Sequence, residues 1–232
     1  MRVRIRHFAV VATLAMIGTS AATSAWASDC ADLPSSILRI HDIRVSMPEV
    51  IKVPAAALDR LPQEEQLASH HTLMLTVADV VTMFEIQHRI VPQADGSLCD
   101  APSLVHIGFG AGRRVAYLAR KAAADECVRK EMLAHEEAHN RAFNEAVDRF
   151  IDEEKAELQR GMLALKRMPA PNAEIAKARW QAGLMTIIAA AKHQLLIEIR
   201  AANARIDSGP TLAALLEACG GKIRQLQEAR RL

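Results

Sequence analysis

Short runs of alternating hydrophobic and polar residues characterise the chain between about residues 40 and 119. Four of them are residues 43–47, 72–77, 84–91 and 104–109. Alternation and β-branched side chains in runs of this length are typical of strands. Glycines at 110 and 112 predict a hairpin turn into residues 114–118, and the segment 92–102, with its prolines and Asp-Gly pair, predicts a loop. We therefore expect a β-rich region with antiparallel strands.

A helical pattern replaces this alternation after Lys121. Residues 123–167 contain one glycine and no proline, and they are rich in Ala, Glu, Leu, Arg and Lys, which favour helices. The prolines at 169 and 171 cannot continue that helix. A second helical run covers about 173–207 and a third about 211–230. Two long helices joined by a short Pro-rich turn are expected to pack as an antiparallel hairpin.

The hydrophobic pattern at the N-terminus is that of a secretory signal peptide. Three arginines precede an apolar stretch over residues 8–17, and Ala25 and Ala27 form an A-x-A cleavage site. We expect cleavage after Ala27, a mature domain over residues 28–232, and a periplasmic or secreted location without a stable membrane anchor. An uncleaved anchor is the alternative, but the apolar stretch is short for a span. No later stretch is expected to be apolar for long enough to cross a bilayer.

The mature chain is expected to be almost neutral. Loss of residues 1–27 removes three of the 29 basic residues and none of the 27 acidic ones. A nearly neutral chain with 3% aromatic residues lacks the basic surface of a nucleic-acid-binding protein, so no nucleic-acid partner is expected. The length of the mature chain suits a single domain.

All four cysteines lie in the expected mature domain, at positions 30, 99, 127 and 219. In an oxidising compartment an even count predicts two disulfides, and four cysteines allow three pairings. We favour Cys99–Cys127, which would join a loop to the start of a helix. The other pair would then be Cys30–Cys219, which would join the two ends of the mature chain.

The candidate chemistry is concentrated in an HExxH motif on the first long helix, His135-Glu136-Glu137-Ala138-His139. Its two histidines are separated by about 40° around the helix and about 6 Å along it, so both imidazoles can bind one metal ion. Glu136 lies on the flank of the same face, where its carboxylate can accept a proton from a metal-bound water. This spacing predicts a Zn2+ site.

The two histidines are expected to face the protein interior. Six residues lie within about 40° of His139 around the helix: Val128, Met132, His135, Phe143, Ala146 and Phe150. Histidines on such an apolar stripe need polar partners, and a zinc ion would supply them. The alternative is a pair of ordinary surface histidines.

Through this motif the chain resembles the zincin superfamily of zinc metallopeptidases. Residues 127–143, with 115–119 before them, more closely resemble a bacterial family of predicted secreted zinc-dependent proteases. The resemblance implies a β-sheet above the active-site helix, zinc ligands at both histidines of the motif, and a general base at Glu136. The chain departs from the usual pattern at Glu137, where an uncharged residue is common, and at Arg141, where a hydrophobic residue is common.

No motif supplies the third ligand, and we predict Glu198. If the turn between the two long helices centres near Ala170, residues whose numbers sum to about 340 face each other, and Glu198 lies within reach of His139. In the gluzincin branch of the resembled superfamily the third ligand is likewise a glutamate from a later helix. A salt bridge of Glu198 to a nearby arginine is the alternative, and His193 is the next candidate ligand.

Two further side chains are candidates to stabilise a substrate oxyanion, His106 on a predicted strand and Tyr117, the single tyrosine of the chain. For both, an ordinary strand position is the alternative.

The expected fold is α+β. An N-terminal antiparallel β-region over about residues 40–119 would pack on the HExxH helix, followed by the long helical hairpin and a C-terminal helix over about residues 123–230. The expected function is an exported zinc metallopeptidase that hydrolyses a peptide or protein substrate with a zinc-activated water and Glu136 as general base. The alternative is a non-enzymatic exported protein with a structural metal site or a partner-binding helical hairpin.

Overall fold

The computed structural model describes residues 30, 33–44, 48–60, 69–71 and 73–231. The expected signal peptide, residues 1–27, lies outside the described residues, as do residues 45–47 of the first predicted strand.

The described chain is α+β, with its strands before its long helices. The strands are β1 (Ile37–Ile43), β2 (Glu49–Val53), β3 (Ser69–His71), β4 (Met74–Gln87), β5 (Ile90–Pro92), β6 (Leu98–Asp100) and β7 (Leu104–Ala119). The helices are α1 (Ala55–Leu58), α2 (Arg120–Ala124), α3 (Glu126–Ala164), α4 (Ala173–Ile206) and α5 (Gly209–Arg231). The three helical runs expected from the sequence are confirmed, although the third, α5, is interrupted by a kink with non-helical backbone from Ala218 to Gly221.

The main sheet is mixed, so the expectation of antiparallel strands holds for β3, β4 and β7 and was wrong for β1 and β2. β7 is its central strand, and β4 pairs with it antiparallel along one side. β1 and β2 pair parallel to β7 along the other side, one after the other. β3 pairs with the outer side of β4, and β5 and β6 form a separate two-stranded sheet. Tertiary contacts therefore set the direction of the first two strands, which alternation cannot reveal.

The hairpin predicted at Gly110 and Gly112 is absent, because residues 104–119 form one continuous strand. Gly110 instead permits close approach of β1, since a Cβ there would collide with the backbone carbonyl of Ile43. Beside Gly112 the register with β4 shifts: Ala111 pairs with Val80, whereas Arg114 pairs with Ala78. Two residues of β7 thus oppose a single residue of β4, which is a β-bulge.

α3 and α4 form the helical layer on one face of the sheet. Each begins with a side-chain cap: Asp125 accepts from Val128 N, and Asn172 accepts from Ile175 N. The helices run in opposite directions, since His135 of α3 contacts Asp207, just past the end of α4. Between the helices and the sheet lies a hydrophobic core, in which Phe109 and Phe150 meet edge to face with ring centroids 5.2 Å apart.

Within the described residues, α4 alone is long and apolar enough, by length and composition, to cross a membrane. An 18-residue window of this helix has a mean hydropathy of 1.3, and 28% of that window is buried. The sequence-based expectation that no such stretch follows the N-terminal one was therefore wrong. Trp180, Leu184, Ile188, Leu195 and Ile199 of this helix are buried in the core, so part of its apolar character is that of a core helix.

Two disulfides are present, but the predicted pairing was wrong. The pairs are Cys30–Cys99 and Cys127–Cys219, with Cα–Cα distances of 5.8 and 5.9 Å. The prediction assumed that the two chain ends meet. Instead α5 packs against the beginning of α3, where Lys222 also forms an ion pair with Asp125. That packing brings Cys219 to Cys127 and leaves Cys99 for Cys30.

Candidate metal centre

Both histidines of the HExxH motif point towards one position beside α3. They are one helical turn apart, and their ring centroids are 4.7 Å from each other. The Nε2 atoms of His135 and His139 are 3.1 Å apart. His139 is 2% exposed, which confirms for this residue the expectation that the pair faces the interior. The His135 side chain is 8% exposed.

Asp207 completes a group of three potential metal ligands. It is the C-cap residue of α4, and Gly209 two positions later has φ 59°, which turns the chain into α5. One carboxylate oxygen, Oδ1, lies 3.1 Å from His135 Nε2 and 2.9 Å from His139 Nε2. No other three His, Cys, Asp or Glu ligand atoms in the described part of the chain form a comparable group.

The spacing of these three atoms fits a small divalent cation. In a tetrahedral zinc site with bonds of about 2.0–2.1 Å, neighbouring ligand atoms are about 3.3 Å apart. The three distances here, 2.9 to 3.1 Å, are only slightly shorter. Two imidazole nitrogens and a carboxylate oxygen are also the donor types that zinc accepts. The residues present therefore fit a metal of this kind and leave a fourth position for another ligand.

Asn203 orients one of the two imidazoles. Its Oδ1 lies 3.1 Å from Nδ1 of His139. An amide oxygen only accepts hydrogen bonds, so His139 must carry its proton on Nδ1 and present an unprotonated Nε2 to a metal. Asn203 precedes Asp207 by one helical turn, so the C-terminal end of α4 supplies both a potential ligand and the residue that orients a second potential ligand.

Glu136 is held on the sheet side of α3, away from solvent, with 2% of its surface exposed. Thr76 of β4 donates to Glu136 Oε2 at 2.6 Å, and Arg114 of β7 donates to Oε1 at 3.1 Å. Arg114 also donates to Asn140 and lies 5.3 Å from the centre of the Phe143 ring. The carboxylate is thus fixed by two strands of the sheet.

Burial and charge act in opposite directions on the titratable groups here. Burial raises the pKa of Glu136, and this exceeds the lowering caused by Thr76 and Arg114. Burial alone would lower the pKa of His139, but its contacts with Asp207 raise the value. Burial alone would raise the pKa of Asp207, but hydrogen bonds and charge from the two histidines lower it from 3.8 to about 2. Without a metal the site therefore favours a carboxylate and a protonated imidazole.

Glu198, the predicted third ligand, does not belong to the ligand group. It lies on α4 more than two turns before Asp207, where burial and the charge of Glu153 raise its pKa. The hairpin geometry behind the prediction was nearly correct, because His135 faces Asp207 and His139 faces Asn203, and both pairs sum to 342. The group uses a residue just past the end of α4, whereas Glu198 lies nearer the middle of that helix.

His106 and Tyr117 both lie on β7, and the structure brings neither to the metal group. Successive residues of a strand point to opposite faces. Val105 and Ile107 face the helical layer and are fully buried, so His106 projects from the other face. Arg114 contacts α3, and residues 116 and 118 share its face, so Tyr117 also points away from α3.

Sequence reasoning missed four residues of the site: Asp207, Asn203, Thr76 and Arg114. Asp207 could have been found by applying the same hairpin rule to His135. For Arg114 the available signal was a glycine in mid-strand at 112, which suggests a bulge. Nothing in the sequence pattern singled out Thr76.

Comparisons of the chain with protein families, with curated proteins and with solved structures find no match. The site is therefore interpreted from its own chemistry.

Proposed function

We propose that the chain is an exported zinc metallopeptidase. The observation that carries this proposal is the cluster of His135 Nε2, His139 Nε2 and Asp207 Oδ1, whose atoms lie about 3 Å apart. Three protein ligands with one position left over are typical of catalytic zinc, whereas structural zinc has four protein ligands. The two disulfides support export, because such bonds persist outside the cytoplasm.

A bound zinc ion would supply a water of lowered pKa and polarise a peptide carbonyl. Glu136 would accept a proton from the attacking water and return it to the leaving amine. A carboxylate has about four acceptor positions, and Thr76 and Arg114 occupy two of them. Glu136 therefore retains acceptor capacity for this step. Asn203 would keep the His139 ring in the orientation that a metal requires.

One observation favours a second candidate, a structural metal site in a non-enzymatic protein. The Glu136 carboxylate is buried and already bonded at both oxygens, as in a purely structural ion pair. In that case a ligand from outside the three residues would fill the fourth position. The two candidates differ in what Glu136 does, so this residue provides the test.

The experiment compares two neighbouring glutamates of the motif in the purified, zinc-loaded protein. Glu136→Gln should retain one zinc per chain and lose at least about 10²-fold in kcat on a peptide substrate, because an amide cannot accept the proton. Glu137→Gln is the matched control, since Glu137 is exposed and contacts Arg141 on the same helix. It should keep both zinc and turnover.

The outcomes separate the two candidates. Zinc binding with peptide hydrolysis that depends on Glu136 supports the peptidase. Zinc binding without hydrolysis of any peptide in a diverse library supports the structural site. Absence of zinc in the wild-type protein, after metal loading and removal of excess metal, would overturn both.

A further inference from the structure

We infer that Arg114 is the positioning residue for Glu136, and that the β-bulge in β7 exists in this fold to aim it. The inference rests on the proposed function, because it assigns Arg114 to the same proton-transfer step. The contacts described for Arg114 on α3 are with Glu136, Asn140 and Phe143, so we assign its effect to the carboxylate.

The bulge decides which of two consecutive arginines enters the core. Before it, alternate residues from Val105 to Ala111 face α3 and α4. Strict alternation would continue with Arg113 on that face and send Arg114 to the opposite one. Because Gly112 and Arg113 together oppose one residue of β4, the alternation shifts by one position. Arg114 therefore points inwards with 4% of its side chain exposed, and the Arg113 side chain is 73% exposed.

The inward arginine is fixed by three contacts on α3. One terminal nitrogen donates to Glu136 Oε1 at 3.1 Å, and the other donates to Asn140, one turn further along the helix. Its guanidinium also lies against the Phe143 ring. These contacts span two turns of the helix that carries both metal-binding histidines. The guanidinium thus sets the position of Glu136 relative to them.

Thr76 completes the arrangement from the neighbouring strand. Its hydroxyl donates to Glu136 Oε2, so each carboxylate oxygen has one donor from the sheet. With both oxygens held, the Glu136 side chain cannot rotate freely between rotamers. A general base needs a fixed direction, because proton transfer requires hydrogen-bond distance to the attacking water. Arg114 supplies the charged hydrogen-bond donor to Glu136, and Thr76 supplies the neutral donor.

The test compares variants at the two arginines of the bulge. In Arg114→Met, kcat should fall about 10²-fold, the loss expected when a general base is misplaced, while KM and zinc affinity stay within about threefold of wild type. Arg114→Lys keeps a charge beside Glu136 and should recover at least tenfold of the lost kcat. Arg113→Met is the matched control, because Arg113 forms only a surface contact with Glu49 among the contacts described.

A double variant separates positioning from general structural damage. If Arg114 acts through Glu136, adding Arg114→Met to Glu136→Gln should lower kcat no further, because the base is already absent. The double variant also removes both buried charges, so it avoids the cost of leaving one unpaired. If the two effects on kcat multiply, Arg114 has a role independent of Glu136 and the inference is wrong.

Three further results would also decide the matter. Wild-type kcat in folded, zinc-loaded Arg114→Met would refute the positioning role and leave the proposed function intact. A wild-type protein that binds zinc and hydrolyses no peptide would remove the proposed function, and the positioning role with it. Zinc loss in Arg114→Lys, with wild-type affinity in Arg113→Met, would show that Arg114 supports the ligands themselves and would overturn the inference.

Discussion

Replacing Asp207 by asparagine should destabilise the metal-free protein by about 2 kcal/mol near pH 6. In the folded chain its pKa is lowered from 3.8 to about 2. A shift of nearly two units at about 1.4 kcal/mol per unit gives about 2.5 kcal/mol. Because the Asp207 side chain is 21% exposed, we reduce this figure to about 2 kcal/mol to allow for solvent screening.

The sign of the pKa shift fixes the pH range. A lowered carboxylate pKa contributes stability that is present above about pH 4 and lost as the pH falls towards 2. His139 has a raised pKa, so its contribution is fully present below about pH 6.5 and is lost as the pH rises through the folded-state value. Both shifts reflect the same contact and are counted once. The effect of Asp207→Asn should therefore be greatest between about pH 4 and 6.5.

The assay is urea unfolding in the presence of a chelator at pH 6 and again near pH 2.5, where the difference between wild type and Asp207→Asn should shrink. A zinc titration at pH 7.5 then follows. Wild type should gain about 4 kcal/mol of unfolding free energy when free zinc is a thousand times its Kd. Asp207→Asn should gain far less at that zinc concentration. Glu198→Gln is the control and should bind zinc as wild type does.

Two outcomes would refute this reasoning. If Asp207→Asn unfolds at the wild-type urea concentration at pH 6, the contact does not carry the energy assigned to it. If it also binds zinc with wild-type affinity, Asp207 is not a ligand. Zinc loss in Glu198→Gln would instead support Glu198 as the third ligand, as the sequence predicts.

Three other predictions concern the rest of the chain. N-terminal sequencing of the exported protein should begin directly after Ala27, and a sequence that starts at the initiator methionine would contradict cleavage. Replacing Cys127 and Cys219 by serine should cost roughly 2–5 kcal/mol of unfolding free energy, and unchanged urea unfolding would show that this disulfide does not constrain the chain. Phe150→Ala should cost about 3–5 kcal/mol because the ring is fully buried, and a loss below 1 kcal/mol in the same assay would contradict its place in the core.

The sequence alone determined the features that depend on neighbours along the chain. Helical periodicity and proline breaks located α3, α4 and α5 to within a few residues. The same periodicity placed His139 on the buried stripe of α3, because residues three to four positions apart share a helix face. The four-residue spacing likewise implied that both histidines could bind one ion. These features depend on local backbone geometry, which a short stretch of sequence encodes.

Only the tertiary structure decided the features that depend on register between distant segments. Asp207 rather than Glu198 meets the histidines because the hairpin aligns the end of α4 with the first half of α3. Arg114 rather than Arg113 enters the core because one extra residue in β7 shifts its alternation. The strand directions and the disulfide pairing were likewise set by packing between distant segments. A displacement of one residue in a strand, or one turn in a helix, exchanges one side chain for another at the site, and alternation within a single segment cannot specify such a displacement.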